Sequence, residues 1–164
     1  MKILVLSDSQ SSLRFMRLCM DRLHPEEVIH LGDYYEDGEN LAAEYPHVKF
    51  HQVPGNCDLF RCPSHLPMKL CYPVGGVMLL MVHGHEQGVK SNIHRLTAQA
   101  RAYGAAAALY GHTHVPDCHQ EEDGLWVLNP GSSRYTATAG WIETADDRIA
   151  VCKLISEEDL EKLV

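Results

Sequence analysis

Five short apolar runs in this chain each end in a polar cluster of Asp, Asn or His, and that recurrence restricts the folds open to it. The runs are 2–7, 28–31, 48–53, 77–82 and 105–109. The clusters are Asp8, then Gly32-Asp33, then Gly55-Asn56-Cys57-Asp58, then His83-Gly84-His85, then Gly111-His112-Thr113-His114. Short continuous apolar runs bounded by turn residues read as buried strands. Helical spacing fills the gaps between the first three. Leu13, Met16, Met20 and Leu23 share one face, with Ser11 or Ser12 as the cap and His24-Pro25 as the stop. A second short helix is predicted over 38–45, ended by Pro46. Strand, helix, strand, helix, strand predicts a parallel sheet with helices on its faces.

Past residue 60 the pattern changes. Residues 68–74, Gly75-Gly76 and 77–82 read as a hairpin. Ser91 is expected to cap a helix running to about Tyr103, with Ile93, Leu96 and Ala100 on one stripe. Further strands are predicted at about 105–109, 115–119, 125–128, 137–143 and 148–155, and Ser156 with Asp159 forms a capping box for a last short helix. No repeat, linker or low-complexity segment interrupts the chain, so 1–164 is expected to be one domain.

In open α/β sheets, ligand groups gather at the carboxyl ends of strands. The strand-end set here is Asp8, Asp33, Asn56, His83, His112 and His114. On an extended segment, alternation would point His112 and His114 the same way. Each residue has an ordinary alternative: Asp8 a helix cap, Asp33 and Asn56 turn residues, His83 a loop histidine. Together they supply two carboxylates, one amide and three imidazoles, too many for one tetrahedral centre. They suit two divalent ions, roughly 3.5–4 Å apart, sharing a bridging carboxylate. Mixed oxygen and imidazole donors suit Mn, Zn, Fe or Ni.

Composition narrows the partners. A net charge of −8 argues against a general nucleic-acid binder and against anionic membrane surfaces. A local cationic centre still leaves anionic small molecules open. No apolar run approaches spanning length, and no secretory segment is visible. The cysteines Cys19, Cys57, Cys62, Cys71, Cys118 and Cys152 show no CxxC pairing and are expected to be buried free thiols in a cytoplasmic protein. Arg61, Arg95 and Arg134 are candidate phosphate contacts or ordinary surface residues. Tyr34, Tyr35, Leu59 and Phe60 are candidate pocket walls or ordinary packing.

These motifs, with Ser7-Asp8-Ser9-Gln10, Leu31-Gly32-Asp33 and Asn129-Pro130-Gly131-Ser132, resemble those of the calcineurin-like metallophosphoesterases, within them the small bacterial YfcE-type phosphodiesterase branch. The resemblance implies an α/β fold of two packed mixed sheets flanked by helices. It implies Asp8 and His114 on a first metal, Asp33 bridging, and Asn56, His83 and His112 on a second, with Mn the first choice of ion. It implies a hydrolase in which a hydroxide held between the cations attacks phosphorus, Asp33 and Asn56 serving catalysis, on a small phosphodiester or phosphomonoester. Cys57, Asp58 and His85 would lie beside substrate or ligands. The chain departs from the family at Gln10, where Asp-x-His is usual, leaving a weak donor at the first metal. It also carries Cys57 where larger relatives have a His that assists the leaving group. The alternative is an interaction scaffold resembling the retromer scaffold subunit, which has lost parts of its metal site; Gln10 is the feature that leans that way.

Overall fold

The structure is a computed structural model and describes residues 1–163. β1 (Lys2–Leu6), β2 (Glu27–His30) and β3 (Lys49–Gln52) run parallel, and their crossovers carry α1 (Arg14–Leu23) and α2 (Tyr35–Glu44). β4 (Lys69–Val74) and β5 (Val77–Val82) form the predicted hairpin. Then come α3 (His94–Ala102), β6 (Ala107–Leu109), β7 (Asp117–Gln120), β8 (Trp126–Asn129), β9 (Thr138–Ala145), β10 (Arg148–Ser156) and α4 (Glu157–Glu161). One sheet has the order β10-β9-β1-β2-β3, with β1 to β3 parallel and β9 and β10 antiparallel at one side; the other has the order β4-β5-β6-β8-β7, with a parallel centre and an antiparallel strand at each margin.

The central strands β1, β5 and β6 are near-continuous apolar runs because both faces of the sheets are covered there. Ile3 and Val5 point between the sheets, against Leu79, Met81, Leu109 and Leu128. Leu4 and Leu6 point the other way, onto Phe15, Met16, Cys19 and Met20 of α1. Leu80, Val82, Ala108 and Val127 turn outward under Leu96 and Ala100 of α3. The result is four layers, helix, sheet, sheet, helix, as the fold expectation required. Each buried Leu, Ile, Val or Phe contributes roughly 1.5–3 kcal/mol, so a charge at Val5 or Leu80 would strike two layers at once.

Several local expectations need correction. Neither Ser11 nor Ser12 caps α1; the helix opens at Leu13 with no side-chain cap, and the Ser11 N–H donates instead to Asp37 at 2.8 Å. α2 begins at Tyr35, ahead of Gly38, because the Tyr35 N–H finds a long-range acceptor in Asp58 at 3.0 Å. α3 begins at His94 rather than after Ser91; Asn92 Oδ1 accepts from the His94 N–H at 3.0 Å. The strand predicted at 115–119 lies at 117–120, and that at 105–109 starts at Ala107. The capping box of α4 forms as expected, with Ser156 and Asp159 exchanging bonds of 2.9 and 3.2 Å. Of the six cysteines, all free thiols, Cys19 is the buried one; Cys57 is exposed and the others are half-buried.

Candidate metal centre

The parallel strands β1, β2, β5, β6 and β8 all deliver their carboxyl ends to one edge, where backbone bonds tie neighbouring strand ends and one of them, from Ser133, joins the two sheets. The Asp8 N–H donates to Gly32 O (2.9 Å), the Gly111 N–H to His83 O (2.8 Å) and the Ser133 N–H to Ser7 O (3.0 Å). Close approach here is possible only without certain side chains. A Cβ on Gly111 would meet Ser7 Oγ at 2.1 Å, and one on Gly55 would meet Asp33 Oδ1 at 2.1 Å.

The chain leaves the strands sharply. Asp8, Asp33, His112 and His114 have φ of 55, 48, 71 and 63°. Left-handed backbone at such residues costs about 1–3 kcal/mol each and persists where surrounding bonds over-determine it. Those bonds are present. Asp8 Oδ2 accepts from the His112 N–H at 3.1 Å and also from the Ser7 hydroxyl. Asp33 Oδ1 accepts from the Cys57 N–H at 3.0 Å. Asn129 Nδ2 donates to Thr113 Oγ1 (2.9 Å) and Gly111 O (3.2 Å). The predicted alternation of His112 and His114 along an extended segment is therefore wrong. The two rings reach the same cluster through a kinked loop, His112 toward His83 and His114 toward Asp8.

Asp33, His83 and His112 each offer a ligand atom, and these atoms lie within 4.8 Å of one another. His83 Nδ1–H donates to Leu31 O at 2.7 Å, which turns Nε2 toward the cluster. That Nε2 lies 3.4 Å from Asp33 Oδ2, 3.2 Å from His112 Nδ1 and 4.0 Å from Asp8 Oδ1. His114 Nε2 lies 3.1 Å from Asp8 Oδ1. Asn56 opens a 3-10 turn, Asn56–Asp58, directly beside these groups, and its Oδ1 is buried with no hydrogen-bond partner.

Burial raises the Asp8 carboxyl, against the pull of His83. Burial acts the same way on Asp33, but the facing His83 and the Cys57 N–H outweigh it and bring Asp33 down to about 2. Burial opposes charge on His83, yet Asp33 and Asp8 hold it above the ordinary imidazole range. Burial, then His83, push His112 down to about 4.

The remaining predicted site residues sort by what they touch. Asp58 is buried behind Asp33, and its carboxylate accepts from the N–H groups of Gly55, Asp33 and Tyr35 at 2.8, 3.0 and 3.0 Å. Cys57 has its thiol pushed up to about 11 by desolvation and Asp33, so it is not a thiolate near neutral pH. The His85 ring sits 5.5 Å from His83 and 6.1 Å from His112. Gln10 is held through its backbone, its N–H to Asp33 O at 3.3 Å and its O from Arg134 at 2.6 Å. Arg61 pairs with Glu36 at 3.1 Å and covers the Tyr34 ring, and Arg95 donates to Glu86 O.

A buried relay beneath the centre was missed. The Gly32 N–H donates to His30 Nδ1 (3.2 Å), His30 Nε2–H to Ser9 Oγ (3.0 Å), and the Ser9 hydroxyl to Asp37 (2.7 Å). It braces the two loops that carry Asp8 and Asp33. Its signal was a histidine closing an apolar strand, with a Ser directly after Asp8. Ser132 was quoted within a motif without a role; its Oγ donates to Asp8 O at 2.8 Å.

The description "calcineurin-like phosphoesterase superfamily domain" matches residues 1–146. The chain belongs to this superfamily. A Bacillus subtilis protein called a probable metallophosphoesterase, YsnB, is 29% identical over 138 residues, 82% of this chain and 76% of the relative. Among solved structures, Yfce, a phosphoesterase from E. coli, superposes with a TM-score of 0.61 at 19% identity over 93% of this chain and 98% of its own. Wild-type Vps29 from Entamoeba histolytica, complexed with Zn²⁺, gives 0.71 at 19% identity over 94% and 97%. These two likenesses establish the shared fold. Membership of the superfamily implies divalent metal ions and phosphate-ester substrates. The donor set fits such ions: carboxylates and imidazoles converge, and the buried Asn56 Oδ1 lacks any other partner. No helix among the described residues is long and apolar enough to cross a membrane.

Proposed function

We propose that the chain is a metal-dependent phosphoesterase acting on small phosphodiesters, with Asp8, Asp33, Asn56, His83, His112 and His114 holding two divalent cations, Mn first among them. One observation carries this reading. Asp33, His83 and His112 bring ligand atoms within 4.8 Å of one another, and the bond from His83 Nδ1 to Leu31 turns its Nε2 into that group. When bound, the cations supply Lewis acidity toward water and the phosphoryl oxygens.

The chain's own residues do the rest. Asp33, ionised well below neutral pH and facing His83, is the carboxylate assigned here to be shared between the cations. Asn56 presents a buried amide oxygen to the site. Asp58 fixes the Asp33 and Gly55 backbones so that neither loop moves relative to the other. Burial and Asp33 hold the Cys57 thiol protonated near pH 7, which disfavours it as a nucleophile.

Gln10 is the one feature favouring a scaffold instead, since an amide is a poorer ligand than an imidazole. Metal content per chain, followed by turnover of an aryl phosphodiester with added Mn, separates the two. The enzyme reading expects bound metal and turnover, with Gln10→His holding or raising both. A chain that binds no divalent ion and hydrolyses nothing with any metal is a scaffold.

A further inference from the structure

A cavity of about 430 Å³ opens beside the candidate centre, within the size range of small-molecule sites. Pro54, Leu59, Leu66 and Met68 form its apolar walls, and His85 separates it from His83. Pro54 and Asp58 bracket the turn that carries Asn56, so the cavity and the donor cluster share one loop. Its carboxylate lining groups are Asp58 and Glu86, and no Lys or Arg lines it. Asp58 is occupied by three backbone N–H groups. Leu59 and Phe60 stand exposed at the same segment, Phe60 completely so, an unusual position for an aromatic ring without a partner.

We infer that this cavity is the seat of the organic group of the phosphate ester, and that it selects a neutral ring of aryl or nucleoside size over a small alkyl group or a second phosphate. The inference rests on the phosphoesterase reading and names the substrate class for that site. The apolar walls give the ring a dry surface, and Glu86 repels a second anion. The phosphoryl group would meanwhile sit at the donors past His85. Arg61, the nearest candidate cation in sequence, is held on Glu36 and the Tyr34 face. Selection by this cavity is therefore by shape and apolarity.

The test compares binding of phenylphosphonate and methylphosphonate, which are not hydrolysed, to the Zn²⁺-loaded protein by calorimetry and by NMR of ¹³C-methyl methionine. The expected result is phenylphosphonate bound about tenfold more tightly, with the Met68 methyl shifting for the phenyl compound alone. Ser64→Trp, at an exposed lining position, should remove that preference and leave methylphosphonate affinity unchanged. Equal affinities with a silent Met68 overturn the inference, and if aryl diester turnover persists, it falls alone. A tenfold preference in a chain that hydrolyses no ester with any metal overturns the phosphoesterase reading and leaves the ring site standing.

Discussion

Two regions of this chain set histidines against carboxylates, and only one leaves ligand atoms over. On β7, His119 Nδ1 donates to Asp117 at 2.8 Å and Nε2 donates to Glu121 at 3.0 Å. Both ring nitrogens are occupied, and alternate residues of one strand supply the whole cluster. At the strand-end edge, His83 gives one nitrogen to Leu31 and turns the other onto Asp33 and His112, which come from separate loops, and Asn56 Oδ1 has no partner. Among the described residues, Asp33, His83 and His112 form the one group of three that converges within 4.8 Å. Proximity of His to Asp is thus a poor sign of a metal site. Ligand atoms brought together from separate strand ends are a better one.

The sharpest way to break this contrast is to delete a donor from each region. Asp33→Ala should reduce phosphodiester turnover by about a thousandfold, roughly 4 kcal/mol of barrier, and lower metal content per chain. His119→Ala should change neither. Equal losses in the two variants, measured by steady-state kinetics and metal analysis, would dissolve the distinction.

The regions also predict opposite responses to pH. His30, fully buried under the candidate centre, is pushed down to about 4 by burial, against the pull of Asp37, Asp58 and Asp33, while His83 reinforces the depression. Unfolded, its ordinary value is near 6.5, so between 4 and 6.5 the unfolded chain binds more protons. The stability tied to neutral His30 is therefore present above 6.5 and lost as pH falls toward 4, about 3 kcal/mol in all. Urea midpoints across that window should fall with acid, and His30→Gln should flatten the slope.

Much of the fold and the outline of this edge were legible because strand ends are read locally: an apolar run, then Gly, Asp, Asn or His. All six strand-end donors lie where the runs stop. What local reading missed were partners far along the chain. Ser11 has the chemistry of a cap, yet its N–H goes to Asp37, and Tyr35 starts α2 early because Asp58 accepts its N–H. His112 and His114 depart from strand alternation because Asp8 and Asn129 bind their loop into left-handed backbone. No spacing rule anticipates an acceptor supplied by another strand's end.

Asp58 tests whether such long-range bracing matters to the donors it never joins. Asp58→Asn keeps the size of the side chain but replaces one accepting oxygen with an amide nitrogen, leaving an N–H of Asp33, Gly55 or Tyr35 unpaired. Losses at residues that orient ligands run to about 10–100-fold. Weaker metal affinity by that factor, with a native circular-dichroism spectrum, is the expected outcome; an unchanged affinity would reduce Asp58 to a turn former.

The smallest effect belongs to His119 itself. Partial burial pulls its pKa down, and Asp117 and Glu121 more than compensate, holding it above the ordinary imidazole value. Here the folded chain binds the extra proton. The pair's contribution is complete below about 6.5 and disappears as pH rises through the folded value, the reverse of His30. The side chain is 35% exposed, so solvent screening limits the gain. A few tenths of a kcal/mol is the expected size. His119→Ala should therefore lower the urea midpoint slightly at pH 5.5 and not at all at pH 9. A larger loss at the alkaline end would mean that the ring acts by packing on the edge strand rather than by its charge.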